Sequence, residues 1–206
     1  MPSPLTLSVD SGFRRTLILS LAICIAIAAL LFVFYLLGAD PVVLLRDRSA
    51  QKEPGLFGGL FSTAGWTVMG LSGLAALLAV LRGSRDSLIL AIAVFALVFA
   101  LDDGLMIHET LGQGMMPVVL LVYTLLVGLL AGLAWRRGGV RALWPLAAVF
   151  AAFALSALID MGFDTGLFSE TWDRVSRIEK IAEDAFKLVG VLIFAAFAAG
   201  QIGRSE

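Results

Sequence analysis

Six long apolar runs constrain this chain more than any other feature of its sequence. They cover residues 16–37, 56–81, 88–106, 117–135, 142–161 and 186–199. Most approach the roughly 20 residues that a helix needs to cross a hydrocarbon core of about 30 Å. With 60% hydrophobic and 15% charged residues, the chain has too little polar surface for a soluble domain of 206 residues. The sequence therefore predicts an integral membrane protein.

The apolar runs and the polar residues beside them define six predicted helices. These helices span residues 16–37, 56–81, 87–109, 117–135, 142–163 and 171–200, and the sixth begins well upstream of its apolar run. The first run is longer than the 7–15-residue core of a secretory signal, so we expect a retained helix. Most connections are short and rich in Gly, Pro, Arg and Asp, as between neighbouring helices. We predict an all-α bundle that forms one transmembrane domain over residues 1–206.

Basic residues predict the orientation of the bundle. One side carries Arg14, Arg15, Arg82, Arg85, Arg136, Arg137, Arg141 and Arg204. The other side carries Arg46, Arg48, Lys52, Arg174, Arg177 and Lys180. The first set is larger and lies closer to the helix ends, so the positive-inside rule puts both termini in the cytoplasm. We expect the membrane to be the inner (plasma) membrane of a bacterium.

Half of the acidic residues gather at the predicted outer side, at the ends of helices three, five and six. They are Asp102, Asp103, Glu109, Asp160, Asp164, Glu179, Glu183 and Asp184, and the same segments hold His108 and Lys187. At about 100° per residue, Ser156, Asp160 and Asp164 share one helical face, as do Glu179, Glu183 and Lys187. An ionisable residue inside a membrane costs several kcal/mol unless it is paired or hydrated, so these stripes predict a common functional site.

The residue types at this site favour a divalent metal ion as cofactor, because carboxylates and one imidazole suit such cations. The predicted metal ligands are Asp102, His108, Asp160, Asp164 and Glu183. The predicted catalytic residues are Asp103, Glu109 and Lys187, with Lys187 positioning a substrate anion. A metal-bound water would act as nucleophile or base on a lipid or small amphiphile. The spacing matches no strong metal motif, since His108-Glu109 is not followed by a second histidine.

Three other interpretations stay open. Clustered carboxylates beside a lysine also suit a proton- or cation-coupled permease. A non-catalytic membrane subunit or assembly factor would use the same charges as structural i, i+4 pairs, such as Glu183 with Lys187. Methionines near His108 admit copper(I), because thioethers favour that ion. These methionines are Met106, Met115, Met116 and Met161.

Composition and glycine spacing bear on the partners of the chain. The net charge is −1 and no basic face with interleaved aromatic residues occurs, which argues against a nucleic acid and leaves the lipid bilayer as the expected partner. Gly70 with Gly73, and Gly128 with Gly132, predict close helix packing. The second pair has the small-xxx-small spacing, which indicates packing rather than a dimer. A lipid or small amphiphilic substrate and a homo-oligomer are the other partners considered.

Overall fold

Six helices make up the described part of the protein. The computed structural model describes residues 11–38, 40, 43–44, 59–105, 107, 116–164 and 173–204, of which 11–14, 17, 116, 120, 160–164 and 173–180 are described as helix without side-chain detail. The helices are α1 (Ser11–Leu36), α2 (Leu60–Leu81), α3 (Ser87–Leu105), α4 (Met116–Gly138), α5 (Val140–Asp164) and α6 (Asp173–Ile202). No strand occurs within these ranges, and each helix contains a stretch long and apolar enough to cross a membrane. The all-α, six-helix prediction is confirmed, and it supports an integral membrane protein.

Several helix boundaries differ from the prediction by one to five residues, the largest difference being the start of α1 at Ser11 rather than at residue 16, and two of them have identifiable reasons. Helix α2 begins at Leu60 rather than at residue 56, because Gly59 has a φ of 68°, outside the helical region. Helix α4 continues past Trp135 to Gly138, since arginine is a good helix former. Gly139, with a φ of 60°, alone connects α4 to α5. The predicted extension of helix three to residue 109 lies largely outside the described residues.

Helices α2 to α6 form a closed ring, in which each helix contacts the next and α6 returns to α2. Helix α1 packs on the outside of this ring against α5 and α6. The C-terminal ends of α3 and α5 and the N-terminal end of α6 meet at one end of the bundle, here called the acidic end. The opposite end, formed by the N-termini of α1, α3 and α5 and the C-termini of α2, α4 and α6, is called the basic end.

Phenylalanine rings fill the centre of the ring of helices. The Phe95 ring centroid lies 5.1 Å from that of Phe194 and 6.1 Å from that of Phe150. Phe99 stacks on Phe153 at a centroid distance of 5.1 Å. These contacts join α3 to α5 and α6. Many large apolar side chains instead face outwards, as residues in contact with lipid do.

The two glycine pairs that predict close helix packing differ in what surrounds them. A Cβ added at Gly73 would lie 2.8 Å from Cγ and 3.1 Å from the backbone nitrogen of Leu97, so α2 approaches α3 closely at this glycine. Among the described residues, a Cβ added at Gly128 or Gly132 would meet no atom of another helix within 4 Å. Within that part of the chain, the prediction that Gly128 and Gly132 pack against another helix is therefore wrong, and both residues are exposed on α4.

Replacing Gly73 by alanine should destabilise the bundle, while Gly132→Ala should not. The added methyl group at position 73 must displace the Leu97 backbone, and overpacking of this kind costs about 1–3 kcal/mol. Alanine at position 132 enters open space and gains up to about 1 kcal/mol of helix propensity. Thermal unfolding of the purified variants in detergent measures both effects. Equal melting temperatures for the two variants would contradict the packing described for Gly73.

Candidate functional site

An ion pair joins α3 to α6 near the acidic end. Lys187 Nζ donates a hydrogen bond to Asp103 Oδ1. The Asp103 side chain is 10% exposed and that of Lys187 is 33% exposed. A carboxylate in such surroundings is costly unless a cation compensates it, and Lys187 supplies that cation. The predicted polar faces of α3 and α6 therefore meet through these two residues.

The neighbouring carboxylate is held by a tyrosine. Tyr123 Oη donates a hydrogen bond to Asp102 Oδ2 at 2.8 Å, which links α4 to α3. Sequence reasoning missed this residue. The available signal was its position: Tyr123 and Thr124 are the only hydrogen-bonding side chains in the interior of the apolar run at 117–135, whose third such residue, Trp135, stands at its end. A hydroxyl group at that depth needs a partner, so it points to a polar neighbour.

Two cavities adjoin the Asp103–Lys187 pair. The larger, of about 330 Å³, lies between α3, α4, α5 and α6. It is lined by Phe95, Phe99, Asp102, Asp103, Val119, Tyr123, Val127, Phe150, Phe153, Ser156, Ala157, Glu183 and Lys187. The smaller, of about 20 Å³, lies between α2, α3 and α6, where Ser62 and Asp184 line it together with the ion pair. It is large enough for one water molecule.

The larger cavity brings together four of the predicted site residues. Asp102, Asp103, Glu183 and Lys187 all line it, as does the buried Ser156 of the predicted polar face of α5. Asp160 and Asp164 belong to the last turns of α5 at the same end of the bundle, and their side chains lie outside the described part of the protein. The predicted residues His108 and Glu109 lie outside the described residues, as does Met106, one of the methionines considered for copper.

Metal ligation is not seen among the described residues. No three His, Cys, Asp or Glu side chains in that part of the chain come together in an arrangement that could hold a metal ion. Two carboxylates of the larger cavity already accept hydrogen bonds from other side chains. Asp103 accepts one from Lys187, and Asp102 accepts one from Tyr123. Three of the five predicted ligands, His108, Asp160 and Asp164, have side chains outside the described part.

The larger cavity combines acidic side chains with an aromatic wall. Its three carboxylates and one ammonium group give a formal charge of −2. Phenylalanine rings form much of the remaining wall, and their faces attract cations as well as apolar groups. Its volume lies at the lower end of the range for small-molecule sites.

Comparison with known proteins places the chain in a family. A family model described as a domain of unknown function (DUF8692) matches residues 16–200. The match covers most of the chain, so the protein belongs to this family. No curated protein and no solved structure shows a significant match to it. The matched region includes part or all of each of the six helices, so the family domain corresponds to the helical bundle.

The Asp103–Lys187 pair should show strong mutual dependence. Lys187→Gln leaves the Asp103 carboxylate buried without its cation, and breaking a buried pair costs about 3–5 kcal/mol. We expect a loss near the lower limit, because Lys187 is partly exposed. The double variant Asp103→Asn with Lys187→Gln should recover most of that stability.

Thermal unfolding in detergent checks this dependence. Arg85→Gln, which removes an exposed charge at the opposite end, serves as the control and should leave the melting temperature unchanged. A double variant that is no more stable than Lys187→Gln would show that the two side chains do not depend on each other.

Proposed function

We propose that this member of the family is a membrane protein that binds a cation among the carboxylates of the larger cavity at the acidic end, here called the acidic-end cavity. The observation that supports the proposal is the formal charge of −2 on an open cavity with phenylalanine rings in its wall. Charges in low-dielectric surroundings interact strongly, so an imbalance of this size favours entry of a cation.

The cation that we favour is a divalent metal ion, with Asp102 and Glu183 as two of its ligands. His108, Asp160 and Asp164 are the proposed remaining ligands, since α5 ends at Asp164 at the acidic end and His108 follows Leu105, the last residue of α3, by three positions in the sequence. Such an ion would lower the pKa of a bound water and so supply a nucleophile. A lipid or small amphiphile would rest its apolar body on Phe99, Phe150 and Phe153. The proposed activity is therefore metal-dependent chemistry on an amphiphilic substrate, with Lys187 and Asp103 contacting its polar group.

Metal binding by the purified protein tests this proposal directly. We expect about one Mn²⁺ ion per chain, measured by elemental analysis and by calorimetric titration after chelator treatment. Glu183→Gln and Asp102→Asn should each weaken binding at least about tenfold, because loss of even an outer-shell group costs 10–100-fold. Asp184→Asn is the matched control, since Asp184 is the next residue of α6 but lines only the smaller cavity. Wild-type protein that takes up no Mn²⁺ or Zn²⁺ above the detergent background would exclude the metal.

A proton- or cation-coupled permease is the second candidate, and one observation favours it. The Asp103–Lys187 pair lines both cavities, one bounded by α2 and the other by α4 and α5. Separation of this pair would join the two cavities into one polar passage. Paired carboxylates and lysines inside membranes are used in this way to move protons.

Proton flux in liposomes distinguishes this candidate. Reconstituted wild-type protein should acidify liposomes that contain pyranine when a potassium gradient and valinomycin impose an inside-negative potential. Asp103→Asn should reduce the acidification to the rate of protein-free liposomes, while the exposed control Arg85→Gln should keep it. Wild-type acidification no faster than in protein-free liposomes would eliminate the proton-conducting route.

A further inference from the structure

The basic end of the bundle holds a cavity of about 540 Å³ that the proposed function does not use. Four guanidinium groups belong to its wall, from Arg15, Arg137, Arg141 and Arg204. Each lies near a helix end. Arg15 is in the first turns of α1, Arg137 at the end of α4, Arg141 at the start of α5 and Arg204 just after α6. Gln201, which is 7% exposed, adds an amide group. No carboxylate occurs among the described residues of this wall.

The position of one of these arginines is fixed from outside the cavity. Arg137 Nη1 donates to Asp86 Oδ2, and Asp86 Oδ1 accepts the backbone N–H of Leu88 at 2.9 Å. The acid that caps α3 thus anchors the arginine without lining the cavity. Guanidinium groups around one cavity repel each other unless an anion lies between them. Their planar arrays of donors match the oxygens of a phosphate group.

An apolar groove continues from this cavity into the membrane region. The groove has a volume of about 360 Å³, lies between α1, α5 and α6, and shares Thr16 with the cavity. Its floor on α5 is built largely of small side chains, Ala147, Ala148, Ala151 and Ala152. From Trp144 to Leu155 the groove follows twelve residues of α5, which is eleven steps of 1.5 Å or about 16 Å. One leaflet of hydrocarbon is about 15 Å deep, half of the full core.

We propose that the cavity and the groove together bind one anionic phospholipid. Its phosphate group lies among the four arginines, and one acyl chain lies along the alanine floor of the groove. Charge complementarity selects the head group, and the matching depth of groove and leaflet accounts for the chain. A soluble phosphate ester shares the phosphate chemistry but leaves the groove unused. A zwitterionic head group brings an ammonium group toward the arginines and is disfavoured.

Lipid titration of the full chain in dodecyl maltoside tests the head-group site. The probes are dioleoylphosphatidylglycerol, dioleoylphosphatidylcholine and glycerol 1-phosphate, with bound ligand measured by native mass spectrometry. Phosphatidylglycerol should bind at least about tenfold more tightly than the other two. The double variant Arg141→Gln with Arg204→Gln should lose about tenfold or more of that affinity. The control Arg82→Gln with Arg85→Gln removes two exposed charges of the same end and should stay close to wild type.

The groove is tested by a matched pair of substitutions on α5. Ala151→Phe fills the groove, whereas Ala154→Phe adds the same ring on an exposed face that does not line it. Only Ala151→Phe should weaken phosphatidylglycerol binding, with both variants unfolding at similar temperatures. Glycerol 1-phosphate binding as tight as phosphatidylglycerol, or equal binding of the two lipids, would overturn the proposal. Equal loss in the lining and control arginine variants, or in both phenylalanine variants, would overturn it as well.

Discussion

The Asp103–Lys187 ion pair is the interaction on which the acidic end of this bundle depends. Helices α3 and α6 make few other close backbone contacts, yet each is among the most buried of the bundle. Within a largely apolar interior, neither charge is tolerable alone, so the pair fixes how the two helices face each other. It also lines both cavities.

Helix positions and the convergence of polar faces could be predicted from the sequence, because both depend on local properties. Run length defines a membrane span, and helical phase puts Ser156, Glu183 and Lys187 on faces that do line one cavity. The partner of Lys187 could not be predicted in this way. Spacing along α6 suggests Glu183, whereas the ammonium group contacts Asp103 on another helix. Helix neighbours decide that contact, and a period of 3.6 residues carries no information about neighbours.

The glycines and Tyr123 also show that sequence spacing does not reveal which helices are neighbours. Gly73 and Gly132 belong to similar small-residue patterns, yet one meets Leu97 and the other meets open space. Tyr123 appears in the sequence as one residue of an apolar run, and only the placement of α4 beside α3 turns its hydroxyl to Asp102. The basic residues behave likewise: their excess at one side was readable as a charge bias, but their convergence on one cavity depends on how four helix ends pack.

Helices α5 and α6 connect the two ends of the bundle. Along α6, Lys187 and Gln201 are fourteen residues apart, or about 21 Å. Between them, Gly190 brings α6 so close to α5 that an added Cβ would lie 2.8 Å from the Phe153 ring. That ring stacks on Phe99 and lines the acidic-end cavity, while the opposite side of the α5–α6 pair lines the lipid groove. Close-packed interiors transmit displacement rather than absorb it. A lipid seated against α5 and α6 therefore bears on the same helix pair that carries Glu183 and Lys187.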